Sequence, residues 1–86
     1  MTVTRRDVLE ALAALSDATA GRTTTVGRVA AALGTDEPTV RRHLDGLRAC
    51  ELALRRPDGR VRVTVTGEEF LALDIDELAI LDFRAE

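Results

Sequence analysis

Aromatic side chains are nearly missing from this 86-residue chain: Phe70 and Phe83 stand alone, with no Trp and no Tyr. Any core must therefore come from Leu, Val, Ile and Ala. Stacking platforms for single-stranded nucleic acid are excluded. Cys50 is the only cysteine, so no internal disulfide forms, and a reducing cytoplasm is the expected compartment. His43 is the only histidine, and no Cys/His cluster has metal-ligand spacing. No apolar run approaches the eighteen or so residues of a membrane span, so no membrane partner is expected. Lysine is absent altogether, and all 12 basic residues are Arg. With abundant Asp, Glu, Ala and Val, that bias is the composition expected of a GC-rich, halophilic archaeal genome.

What is present is organised around Val26 to Leu47. Val29, Ala30 and Leu33 form an apolar stripe at helical spacing, which Gly34 interrupts. Val40, Leu44 and Leu47 then repeat it. Two short amphipathic helices joined by a glycine turn are the sequence form of a helix-turn-helix. Asp36 is placed to cap the second of them, with Glu37 and Pro38 in the first turn, where proline removes no intrahelical bond. Gly46, inside that helix, costs about 1 kcal/mol relative to Ala and marks a close approach or a weak point.

Upstream, Thr4 and Asp7 are spaced as a capping box for a first helix ending near Leu15. Arg22 to Thr24 suits a short strand, and Thr25 caps the next helix. Downstream, Leu52 to Arg56 and Arg60 to Val65 read as strands around a Pro57-Asp58-Gly59 turn, with Val61, Val63 and Val65 on one side. Thr66 to Glu69 has the spacing of a second capping box, predicting a helix through Phe70, Leu71 and Leu73.

The net charge of −3 conceals an uneven distribution. Residues 28 to 62 carry eight Arg against five acids, whereas residues 63 to 86 carry Arg84 against seven. Positive charge thus sits on the helix-turn-helix and hairpin, where phosphate contacts would need it. Arg41 and Arg42 fall on the solvent arc of the third helix with Arg48. Together with Glu37 and Thr39 they are candidates for base and phosphate contacts, since Arg bonds guanine bidentately and Glu accepts from cytosine. Arg55, Arg56, Arg60 and Arg62 bracket the hairpin turn, where Arg enters a narrow minor groove or rests on the backbone. The same charges would also serve to protect an exposed strand edge. No nucleophile–base pair, phosphate loop or metal cluster has recognisable spacing, so neither an enzyme nor a cofactor is expected.

The LGTDEPTVRRHL run from Leu33 to Leu44 and the LRRPDGRVRVT run from Leu54 to Thr64 resemble the turn, recognition helix and wing of prokaryotic and archaeal winged helix-turn-helix transcriptional regulators. The resemblance covers about Asp7 to Leu73. It implies a mainly α fold with a small antiparallel β-hairpin: a three-helix core, a wing and a C-terminal helix. It also implies a third helix in the major groove of double-stranded DNA, and a homodimer on a pseudo-palindromic site. Glu51 departs from the pattern, standing where such domains often carry glycine. Neither an appended ligand domain nor a small-molecule effector is expected. Residues 1–73 are expected to form the DNA-binding domain. Residues 74–86, acidic yet rich in apolar side chains, are expected to dimerise through Ile75, Leu78, Leu81 and Phe83 together with Leu71. The other use of such a scaffold is as a protein-interaction module, which the acidic tail and low pI would suit.

Overall fold

The helix boundaries are set by side chains that bond the first free amides of each helix. In the structure, a computed structural model describing residues 2–73, the Thr4 hydroxyl accepts from the Asp7 amide at 3.0 Å. The Asp7 carboxylate accepts from the Thr4 amide at 2.9 Å, completing the capping box that opens α1 (Arg5–Leu15). Thr25 caps α2 (Val26–Leu33) and Asp36 caps α3 (Glu37–Ala49) by accepting from the Arg28 and Thr39 amides, with Pro38 in the first turn of α3. Gly34 ends α2 at φ 65°. The Gly34 amide donates to Ala31 O and the Thr35 amide to Ala30 O, which satisfies carbonyls that the helix leaves over.

Buried side chains from the helices and a hairpin make one core, to which Phe70 also belongs. Val8, Leu9 and Leu12 of α1 meet Val29 and Ala30 of α2, and Val40, Leu44 and Leu47 of α3. Strands β1 (Ala53–Arg55) and β2 (Val61–Val63) pair antiparallel, with Ala53 opposite Val63 and Arg55 opposite Val61. They add Ala53, Val61 and Val63 to the same core. The short strand expected at Arg22 to Thr24 is a single bridge, in which Thr24 and Val61 exchange bonds of 2.8 and 2.9 Å. The architecture is that of a winged helix: mainly α, with four helices and a two-stranded hairpin among the described residues.

Three further expectations need correction, all around the hairpin. The strands are shorter than the alternation suggests. Val65 does not continue the buried row but is 54% exposed, because the chain leaves the sheet at Thr64. The last helix, α4 (Val65–Ala72), is capped by Thr64 and not by Thr66. Thr64 Oγ1 accepts from the Gly67 amide at 2.9 Å while donating to the Glu51 carbonyl at 2.7 Å. One hydroxyl therefore caps the helix and ties it to the end of α3, a pairing that local spacing does not reveal.

Two glycines report close approaches. A Cβ at Gly46 would stand 2.5 Å from the Arg5 guanidinium, which is itself only 7% exposed between α1 and α3. A Cβ at Gly67 would fall on the Leu52 carbonyl oxygen, so α4 lies against the backbone that enters β1. Cys50 is half-buried at the end of α3, as is His43 within it. Ile75, Leu78, Leu81 and Phe83 lie outside the described residues. Leu71 is half-buried against the core.

Candidate nucleic-acid interface

The apolar stripe of α3 decides which of its side chains face outward. With Val40, Leu44 and Leu47 buried, helical geometry leaves Glu37, Arg41, Arg42, Asp45 and Arg48 in solvent. The hairpin packs beside this exposed arc. A cleft of about 460 Å³ opens between the start of α2, the outer side of α3 and the wing, and Glu37, Arg41, Asp45, Arg48 and Arg55 line it. A second depression of about 470 Å³ shares Arg48 and Arg55 and runs toward Glu51 and Thr64. Those two arginines therefore stand on the ridge between the hollows.

Of the nine residues singled out for DNA contact, the first cleft gathers four: Glu37, Arg41, Arg48 and Arg55. Arg41 Nη2 donates to Glu37 Oε1 at 2.8 Å, an i,i+4 pair with the acid toward the N-terminus. In that order the pair stabilises an exposed helix by about 0.3–0.5 kcal/mol. Arg48 approaches Asp45 at 3.4 Å. Arg42 and Arg55 have no side-chain hydrogen bond or ion pair among the described residues. Arg42 nonetheless contributes to the field that holds the Asp36 carboxyl below the ordinary aspartate range. The main cause of that shift is the hydroxyl of Thr39, followed by its amide. Thr39, half-buried, is thus engaged in the cap of its own helix.

On the wing, the four arginines divide. Arg55 and Arg56 are exposed, and Arg56 approaches Asp58 across the turn at 3.7 Å. Arg60 bends back instead: its Nε donates to Thr23 Oγ1 at 2.7 Å and its Nη2 to the Thr23 carbonyl at 3.0 Å. It clamps the hairpin to the chain entering α2. Arg62 is half-buried and donates to the Val63 carbonyl at 3.1 Å. Arg55 and Arg56 are accordingly the wing side chains with most freedom to meet a ligand.

The site also includes residues that the sequence pattern does not single out for function. Thr25, Val26 and Gly27 form one wall of the cleft. The Glu37 carboxylate leans over the first turn of α2, where a Cβ on Gly27 would sit 3.1 Å from its Oε2. A glycine in a first helical turn, where no turn geometry requires it, is the available signal. Among the described residues no group of three or more His, Cys, Asp or Glu is placed to hold a metal. No described helix is long and apolar enough to cross a membrane.

A helix-turn-helix, a hairpin directly after its second helix and arginines on both define a winged-helix domain with a basic outer face. No protein-family model matches the sequence, and no curated protein matches it. Among solved structures, the fold is similar to that of IdeR from T. acidophilum, with a TM-score of 0.64 and 22% identity. The likeness covers 78% of this chain and spans 30% of that one.

Proposed function

We propose that this chain is a sequence-specific transcriptional regulator that binds double-stranded DNA. In this reading α3 enters the major groove and the wing, through Arg55 and Arg56, rests on the flanking groove or backbone. The observation that carries it is the shared cleft: guanidinium groups from a helix and from a hairpin converge on one outer surface, while the apolar side of both is sealed in the core. The winged-helix fold supports it as the scaffold. Recognition needs both kinds of contact, because phosphates supply affinity and base edges supply discrimination. A homodimer formed through Leu71 and residues 74–86 would place two such helices on half-sites about one helical turn apart.

Mobility shift of the full chain on duplex DNA across a salt series tests this directly. Each phosphate neutralised steepens the log–log salt slope by about 0.9, so a steep slope is expected. Replacing Arg41 and Arg42 together by Ala removes selective binding and leaves the melting temperature nearly unchanged, since both side chains are exposed. No retardation of the wild-type chain at low salt would instead favour a protein-interaction module. Light scattering of Leu78→Asp tests the dimer, with a fall to monomer mass expected.

A further inference from the structure

Adjacent residues of α3 present their guanidinium groups differently. Arg42 is unrestrained by any side-chain partner among the described residues, whereas Arg41 is held from behind by Glu37. Glu37 is itself placed by a second element: its other carboxylate oxygen lies over Gly27, in the first turn of α2. That turn contains no acidic residue of its own, so Glu37 supplies the negative charge that the partial positive charge of a helix start favours. A Cβ at Gly27 would stand 3.1 Å from that oxygen and press the carboxylate aside by a few tenths of an ångström.

We propose that Glu37 is a positioning residue that orients Arg41 for base recognition. This rests on the DNA-binding reading and assigns separate tasks to the two neighbouring arginines. Arg41, which lines the cleft, enters a complex with its fork already restrained through the donor engaged by Glu37, so less side-chain freedom is lost on pairing with guanine O6 and N7. Arg42, free to follow any backbone, takes phosphate. The same carboxylate repels phosphate, so Glu37 lowers affinity for arbitrary sequence while raising selectivity.

That opposition gives the experiment its resolving power. Full-length wild type, Glu37→Ala, Glu37→Gln and Gly27→Ala are compared on two duplexes: the one wild type enriches most from a random pool, and a shuffled duplex of equal composition. Melting curves establish that each variant is folded. Expected for Glu37→Ala is a loss of roughly tenfold in the ratio of selected to shuffled binding, with shuffled binding tighter than wild type. Reselection with this variant loses its preference at one guanine position. Glu37→Gln keeps an acceptor oxygen and falls between. Gly27→Ala, which crowds the carboxylate without changing its charge, lowers the ratio without tightening shuffled binding. A ratio unchanged in Glu37→Ala while both affinities rise would reduce Glu37 to simple repulsion and overturn the proposal. A loss of both affinities would overturn it equally, as the mark of a merely structural role. If wild type itself showed no preference between the duplexes, the DNA-binding reading would fail first and take this with it.

Discussion

The α2–α3 unit and the hairpin–α4 unit occupy similar lengths of chain but are held by different kinds of interaction. In the first, each boundary is fixed by a residue within the same turn: Thr25, Gly34 and Asp36 bond amides or carbonyls no more than a few positions away. In the second, the decisive contacts are distant in sequence. Ser16 at the end of α1 accepts from the Val63 amide at 2.9 Å, Arg60 clamps Thr23, and Gly67 lies on the Leu52 carbonyl. Helix α3 is thus a locally determined object, and the hairpin beside it is placed by the rest of the domain. Damage to the two should differ: faults in the first stay local, whereas faults in the second loosen the sheet, α4 and the cleft wall together.

Gly67→Ala is the severest test of that difference. The added methyl meets a backbone carbonyl and Val63 Cγ2, neither of which can swing aside as the end of a flexible side chain can. Helix α4 has to lift from the hairpin, at a cost of about 3 kcal/mol, the upper part of the usual range for overpacking. For a domain of this size that lowers the melting temperature by roughly 10–20 °C. A variant that melts like wild type would show that α4 docks loosely and that the hairpin does not depend on it.

Ser16→Ala is expected to be the next largest. The Ser16 hydroxyl donates to the Leu12 carbonyl at 2.6 Å and accepts from the Val63 amide at 2.9 Å, in a site only 6% exposed. Removing it strands a buried N–H on the inner strand, which costs about 2 kcal/mol. Hydrogen exchange at the Val63 amide should accelerate in this variant while α3 amides keep their protection relative to global unfolding. Equal acceleration in both would mean that the two units are not separable.

The same division explains what the sequence discloses. Caps and stops of α1, α2 and α3 are legible because their chemistry lies within four residues, and a periodic stripe orients α3 without further information. The start of α4 is misplaced by two residues because Thr64 and Thr66 are both plausible caps locally, and only the bond from Thr64 to Glu51 distinguishes them. Gly46 is recognisable as a close approach, but the neighbour turns out to be Arg5, a residue whose type argues for solvent. At the candidate site, the exposure of Arg41, Arg42 and Arg48 follows from helical periodicity, whereas Arg55, on the side of β1 shared with buried Ala53, is exposed against the alternation. The engagement of Arg60 by Thr23 and the reach of Glu37 to Gly27 do not follow from periodicity either, since each spans separate elements.

The smallest effect isolates one geometry at two places. Both α2 and α3 end in the same pair of bonds, donated at α3 by the Glu51 amide to Arg48 O at 3.0 Å and by the Leu52 amide to Leu47 O at 2.8 Å. The left-handed residue is Gly34 in one case, but in the other it is Glu51, at φ 62°. Nothing lies within 4 Å of a Cβ built on Gly34, so Gly34→Ala meets only backbone strain and costs about 1 kcal/mol. Glu51→Gly relieves the same strain, a gain of about 1 kcal/mol, partly offset by the greater freedom glycine gives the unfolded chain. The net is a stabilisation of roughly 0.5 kcal/mol, or a few degrees in melting temperature. Opposite signs for the two substitutions are therefore expected at structurally equivalent positions. If Glu51→Gly destabilised the domain, the glutamate side chain, and not the backbone bonds, would be what fixes the junction between α3 and the hairpin.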